Sequence, residues 1–348
     1  MIRKLVTVRR IDNITEILNA DTLERAQVEG WDVVIKKGEF TIGDLCVYFE
    51  IDSFLPSSDL RFKPLMKQKI RYQNKEGCRI KTMKLRGQIS QGLAMPLRMF
   101  DEIEKIVDGK SYEEVRSMDF SNTLNIDKWE APIPQEMLDS VVGAIPSEIS
   151  KTEQERIQNL QGVLEEDWAE QYEATVKLDG NSMTVYKLNE RIGVCGRNWE
   201  YKETPNHPMW KVARKNNFLE ALKAFSKNIA LQGELIGEGI HKNKENISGQ
   251  EFYLFDVFDI DTGKRLGKTQ RESVVSCLRA HGARIVCCPV LDIITLGHFE
   301  GQVVNMLQYA AGPSLNAKNK REGVVFKRLD GERSFKVISN NYLLKNEG

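Results

Sequence analysis

The sequence predicts an α+β protein built as a small all-β barrel domain followed by a larger domain in which strands outnumber helices. Three observations carry this expectation. The chain has 348 residues, about two domains' worth. Its first hundred residues alternate short β-branched or aromatic runs with turn residues, and a proline-rich break then precedes a second set of strands and helices.

In the first part, Ala26-Gln27-Val28, Trp31-Asp32-Val33-Val34-Ile35 and Leu45-Cys46-Val47-Tyr48-Phe49 read as strands. Between them lie Glu29-Gly30, Lys36-Lys37-Gly38-Glu39 and Ile42-Gly43-Asp44. Short strands at this spacing suggest a small barrel, and Lys84 to Pro96 adds another strand and turn. Residues 1–125 form the first expected domain. Pro132, Pro134, Gly143 and Pro146 interrupt periodicity and place a linker over 126–150.

The second expected domain, 151–348, opens on Lys151 to Leu160, read as a short helix capped by Ser150 or Thr152. Strands are expected at 172–177, 183–188, 192–196, 229–236, 252–258 and 323–327, and helices near 208–225, 271–281 and 301–311.

Lysine and arginine number 50, as do aspartate and glutamate, so the formal net charge is zero. No run approaches the roughly 18 uncharged apolar residues that a bilayer span requires. Met1-Ile2-Arg3-Lys4-Leu5 leads straight into a charged segment, so a soluble intracellular protein, cytoplasmic or nuclear and without a signal peptide, is expected. The six cysteines form no CxxC pair and the four histidines show no zinc-site spacing, which argues against a structural zinc.

Zero net charge hides a local bias. Arg61 to Arg86 contains ten basic residues against one acid, Glu76. Lys63, Lys67, Lys69, Arg71, Arg79, Lys81, Lys84 and Arg86 are candidate contacts to an anionic polymer. Phe62 and Tyr72 interleave rings among them, the composition of a nucleic-acid groove. The plainer alternative is a solvated loop or edge strand whose lysines oppose aggregation. A further basic stretch, Ser314 to Gly348, has eight basic and four acidic residues.

The most informative tetrad is Lys177-Leu178-Asp179-Gly180, at the end of the strand-like Glu173-Ala174-Thr175-Val176. Alone it is weak, and Arg328-Leu329-Asp330-Gly331 repeats it with arginine in first place as a hairpin turn. Its company is more telling. Downstream come Arg197 in Gly196-Arg197-Asn198, Glu234 in Leu231-Gln232-Gly233-Glu234-Leu235-Ile236-Gly237, and Phe252-Tyr253-Leu254-Phe255-Asp256-Val257-Phe258-Asp259. Glu322 then stands in Glu322-Gly323-Val324-Val325-Phe326-Lys327, and Lys336 in Ser334-Phe335-Lys336-Val337.

In this order the set resembles the motifs of the covalent nucleotidyltransferase superfamily of ligases and capping enzymes, from about Ser150 to the end. Within it the chain resembles ATP-dependent RNA ligases in which an OB-like barrel precedes the transferase domain. Twelve residues follow Lys336, too few for the OB-fold that capping enzymes and many DNA ligases carry there. The fold implied is an ATP-grasp-like nucleotidyltransferase (adenylyltransferase) domain of antiparallel sheets with flanking helices, behind an OB-like barrel. The activity implied is joining of RNA 3′-OH and 5′-phosphate ends, foremost nicks in duplex RNA, by a monomer using ATP and two Mg²⁺ or Mn²⁺ ions.

The resemblance also implies roles. Lys177 would accept AMP. A lysine amine is ordinarily protonated, with a pKa of about 10.4, so burial, cationic neighbours or a metal must depress it, Lys327 and Lys336 being the expected neighbours. Asp179, Glu234 and Glu322 would orient metal-bound waters. A buried salt bridge is the structural alternative for the two glutamates. Arg156, Val176, Asp179, Gly180, Arg197, Glu234, Phe255, Lys327 and Lys336 would line the ATP site. Phe255 would stack on adenine or else be plain core, whereas Arg197 and Arg156 could instead be surface salt bridges. Lys327 and Lys336 would grip the α-phosphate. Many relatives carry a second lysine two places after Lys336, where this chain has Ile338. The rival readings are a DNA ligase, or a nucleic-acid-binding protein with a relic transferase domain.

Overall fold

The computed structural model describes residues 4–18, 20–66, 69–129, 139–160 and 162–346, the side chains at 84 and 346 lying outside that description. The chain divides into two compact units, residues 1–132 with 343–348, and residues 133–342.

The first unit contains β1 (Val6–Glu16), β2 (Leu23–Val28), β3 (Trp31–Lys36), β4 (Leu45–Phe49), β5 (Ser53–Pro56), β6 (Ile70–Tyr72), β7 (Lys75–Arg79), β8 (Met83–Leu85), β9 (Gln88–Ser90), β10 (Leu93–Pro96) and β11 (Asp127–Lys128). A curled sheet runs in the order β10-β4-β1-β2-β3, a second runs β11-β5-β7-β6, and β8-β9 is a separate hairpin. Strands β2 and β3 alternate buried and half-buried positions. Ala26, Val28, Trp31, Val33 and Ile35 thereby share one face and one core with Tyr48 and Ala94.

The basic stretch is largely hairpin. Its turns are Gln73-Asn74 (φ 46° and 63°) and Arg86-Gly87 (φ 50° and 88°), left-handed pairs whose twist matches the strands they join. Phe62 does not belong to an exposed groove: it is fully buried, edge-on to Phe49 at 5.4 Å. Two helices absent from the sequence expectation follow, α1 (Asp101–Val107) and α2 (Tyr112–Arg116), the second started by a Ser111–Glu114 capping box.

The second unit holds β12 (Val141–Ala144), β13 (Glu155–Arg156), β14 (Gln171–Lys177), β15 (Asn181–Leu188), β16 (Arg191–Cys195), β17 (Trp199–Tyr201), β18 (Ile229–Gly237), β19 (Gln250–Asp259), β20 (Lys264–Arg265), β21 (Val286–Cys287), β22 (Val290–Thr295), β23 (Gly323–Arg328) and β24 (Ser334–Ile338). One sheet has the order β12-β17-β16-β15-β18-β19-β20, with β21 beside β19. The other has the order β13-β24-β23-β14-β22. The span 126–150 gives each unit an edge strand, β11 on β5 and β12 on β17.

Helices α3 (Val163–Glu166), α4 (Pro208–Lys215), α5 (Phe218–Ala224), α6 (Lys268–Ala280), α7 (Val303–Ala310) and α8 (Asn340–Asn346) complete the fold. The helix expected over 208–225 is two, because Asn217 turns left-handed at φ 54° between them. The capped helix expected at 151–160 is not formed. Glu155 and Arg156 instead pair in parallel with β24, and a 3₁₀ turn over Ile157–Asn159 sends Ile157 into the core under the five-stranded sheet. Tertiary pairing here outweighs the local helix signal. Each sheet has its own core, one against α4, α5 and α6 and one against α3 and α7. A smaller cluster of Val176, Leu178, Ile236, Tyr253 and Cys288 draws on both sheets. Among the described residues no helix is long and apolar enough to cross a membrane.

Candidate active site

Strands β14 and β15 are consecutive in the chain yet belong to different sheets. The residues between them are Leu178, Asp179 and Gly180, so the lysine tetrad is the point where the chain crosses over. Gly180 permits the crossing: a Cβ there would stand 2.4 Å from the Leu235 carbonyl oxygen and 2.6 Å from Ile236 Cγ2. Its N–H donates to Glu234 Oε1 at 3.0 Å, tying the turn to β18. Gly323 meets a similar limit, its Cβ position lying 2.1 Å from the Val337 carbonyl oxygen.

Lys177 pairs with Gly323 across β14 and β23, and its Nζ donates to Glu322 Oε2 at 2.7 Å. Burial pulls the ammonium pKa down, but Glu322, Glu234 and Asp179 outweigh it and hold the value above that of a free lysine. Burial by itself thus does not produce the depression expected from burial, cationic neighbours or a metal together. Burial pushes the Glu234 carboxyl up to about 7; Lys177 opposes and Glu322 reinforces that shift.

Asp179 accepts from His241 Nδ1 at 2.6 Å, from Lys244 Nζ at 2.5 Å and from the Tyr342 hydroxyl. Burial would raise its pKa, yet these three donors hold it well below the usual carboxylate range. The bond to Asp179 in turn raises the pKa of His241.

A divalent cation fits this donor set. Burial raises the Glu234 carboxyl pKa even against the opposing charge of Lys177, and Glu322 and Asp179 are its acidic neighbours. Among the described residues no three His, Cys, Asp or Glu side chains converge closely enough to hold an ion directly. A hydrated ion with one or two carboxylates and phosphate oxygens around it is the pattern usual for Mg²⁺.

Phe255 is half-buried against the cluster that includes Val176. Lys327, from β23, donates through Nζ to the Phe255 carbonyl oxygen and to Asp256 Oδ1, the latter at 2.8 Å. Lys336 stands in register with Arg156 on one side and Val325 on the other. Ile338, two places on, is buried and pairs with Gly323. Arg197 is turned to the surface and bonded to Glu153 at 2.9 Å, the salt bridge weighed as its alternative.

The structure thus gathers Lys177, Asp179, Gly180, Glu234 and Glu322, and packs Val176 with Phe255. It also shows partners that the sequence reading missed: His241, Lys244, Tyr342 and Asp256. A charged run, His241-Lys242-Asn243-Lys244, closely following the Glu234 strand was the available signal.

In the first unit, Lys63, Arg71, Lys81 and Arg86 are exposed and make no ion pair among the described residues. Lys69 lies 3.8 Å from Glu76. Arg79 is committed to Asp52 at 2.6 Å and stacks over Trp129 at 4.1 Å. Lys67 and the Lys84 side chain lie outside the described residues.

A curled β-sheet unit and a two-sheet unit with a lysine and three carboxylates at the strand crossover define a nucleotidyltransferase architecture. Comparison with known proteins agrees. An OB-fold domain model matches residues 5–97, and an RNA ligase family model matches residues 170–338. Solved structures of Naegleria gruberi RNA ligase are similar over the whole chain. A variant with AMP and Mn is 46% identical, with a TM-score of 0.90 and 99% of each chain covered. A variant with ATP and Mn and the ligase with pyrophosphate are each 46% identical at TM-score 0.89, again over 99% of each chain. No curated protein sequence matches. The chain belongs to the RNA ligase family.

Proposed function

We propose that this protein is an ATP-dependent RNA ligase that seals 3′-OH/5′-phosphate ends, with nicks in duplex RNA as the foremost substrate, and that it works through Lys177. The observation that carries the reading is the crossover lysine, held against Glu322 and flanked by Glu234 and Asp179. The ATP, AMP, pyrophosphate and Mn in the Naegleria gruberi structures support it.

In the first step the neutral Lys177 amine attacks the α-phosphorus, an N–P bond forms, the bond to the β-phosphate oxygen breaks and pyrophosphate leaves. Lys177 must first lose to solvent the proton that Glu322 helps it keep. In the second, an RNA 5′-phosphate oxygen displaces Lys177 from AMP. In the third, the RNA 3′-hydroxyl attacks that 5′-phosphate and AMP departs.

Divalent cations, Mg²⁺ or Mn²⁺, would neutralise charge on the α-phosphate and help orient the leaving pyrophosphate. Asp179, Glu234 and Glu322 would hold their waters. Lys336 and Arg156 meet the phosphates, Arg197 meets ribose or phosphate from the rim, and Phe255 stacks on adenine over Val176. Lys327 belongs to the same site and Gly180 lets the chain approach the nucleotide. Residues 1–132 serve the RNA strand bearing the 3′-hydroxyl, with Lys63, Lys67, Lys69, Arg71, Lys81, Lys84 and Arg86 as the contact set and Arg79 holding the fold through Asp52. Residues 133–342 carry the adenylyl transfer.

Duplexes with a single nick, whose 3′-hydroxyl strand is either RNA or DNA, test the reading. Sealing of the RNA version, dependent on ATP and lost in Lys177→Ala, is expected. Equal sealing of a DNA 3′-hydroxyl strand would contradict the RNA assignment.

A further inference from the structure

We propose that Lys327 is a positioning residue for the adenine site, fixing the Phe255 ring through that residue's own carbonyl instead of meeting the nucleotide. The inference rests on the reading that Phe255 stacks on adenine. The pairing of β18 with β19 steps from Gln232↔Asp256 to Gly233↔Leu254, so Phe255 is the extra residue of a β-bulge. A bulged residue leaves the ladder, and a carbonyl that does so in the interior needs another donor.

Lys327 supplies that donor. It is 4% exposed, bonded to the Phe255 carbonyl oxygen and to Asp256, and its Nζ lies 5.5 Å from the Phe255 ring centroid. Asp256, itself 2% exposed, is the bulge's next residue, and Arg265 Nε stands 3.7 Å from its second oxygen. A cavity of about 10 Å³ bordered by Asp256, Arg265, Arg271, Lys327 and Ser334 is the size of one water. To reach a phosphate, Lys327 would have to abandon Asp256 and leave a buried carboxylate poorly compensated. Gly233 completes the device: a Cβ there would lie 2.4 Å from the Phe252 ring and 2.5 Å from the Tyr253 carbonyl oxygen. The bulge is held from both strands, and it aims one half-buried ring.

Adenosine, which has no phosphate, separates the two roles. In the full-length protein, lysyl-AMP formation is measured for wild type, Lys327→Met, Phe255→Leu and the double variant, giving the ATP KM, the rate at saturating ATP and the inhibition constant of adenosine. Each single variant should weaken adenosine and ATP by the same factor, about tenfold, the size of a lost base–ring stack. The saturating rate should stay within about threefold, and the double variant should be no worse than the worse single one. If Lys327→Met leaves adenosine at its wild-type value while ATP weakens, or if the two losses multiply, Lys327 is a phosphate contact and the proposal is overturned. If Phe255→Leu leaves adenosine unchanged, the stacking reading fails first and takes the proposal with it. Should Lys327→Met fold poorly, Lys327→Met/Asp256→Leu removes both buried charges yet still deprives the carbonyl of its donor. The same adenosine loss is expected, and a wild-type value overturns the proposal.

Discussion

The Lys177 ammonium lies 2.7 Å from the Glu322 carboxylate, and the carboxylates around it raise its pKa above that of a free lysine. Lys177, the proposed nucleophile, is thereby biased toward its protonated, unreactive form. Glu322→Gln should release it: in metal-free protein at pH 8, labelling of Lys177 by an amine-reactive sulfonate, followed by mass spectrometry, should quicken by about tenfold for each pKa unit lost. Lysyl-AMP formation with Mn²⁺ should nevertheless fall by at least about a hundredfold, because a carboxylate proposed to help place the cation is gone. Unchanged labelling would show that Glu322 does not hold the proton.

Glu234 gives the metal-free protein a pH dependence of known direction. A carboxyl whose folded pKa exceeds its unfolded value contributes stability that is whole below the unfolded pKa and lost as pH rises through the folded one. For Glu234 that window runs from 4.5 to about 7. His241, raised by Asp179, acts in the same direction near neutrality. Thermal unfolding should show stability declining across this window in wild type and a flatter profile in Glu234→Gln. The stabilisation given by Mn²⁺ should grow with pH over the same range. Superimposable profiles would contradict the assignment.

The basic stretch of the first unit should divide into two kinds of residue. Arg71 and Lys81 are exposed without ion pairs among the described residues, so Arg71→Ala and Lys81→Ala should leave the melting temperature unchanged. Each should reduce the slope of log affinity for RNA against log salt by about 0.7 to 0.9, one phosphate contact. Arg79→Ala removes the pair with Asp52 and the stack on Trp129 and should destabilise the fold by about 1 kcal/mol. Salt-dependent RNA binding and thermal unfolding, measured on the same variants, check both halves.

Much of this site was legible because its parts are local. The strands that carry Lys177, Glu234 and Phe255, and the one that follows Glu322, are rich in β-branched, aromatic or other apolar residues, and each is found within two residues of its expected start. The bonds of Asp179 to His241, Lys244 and Tyr342 span 62 to 163 residues, and no spacing rule encodes contacts that distant. Phe62 looked like a groove ring because its neighbours are charged, although its side chain faces Phe49 and the core. The run at 151–160 had a cap residue and helix formers, yet the free edge of β24 captured Glu155 and Arg156 as a strand. The cation committed to Phe255, Lys327, looked from sequence like any other phosphate-facing lysine.

Transfer of AMP to Lys177 is the claim on which the mechanism depends. Purified protein incubated with α-labelled ATP and Mg²⁺ or Mn²⁺, beside Lys177→Ala, then separated under denaturing conditions, tests it. Label retained on wild type, absent from the variant and mapped to Lys177 by peptide mass is the predicted result. No label on wild type, with pre-adenylylated protein excluded by mass, or equal label on Lys177→Ala, would contradict it.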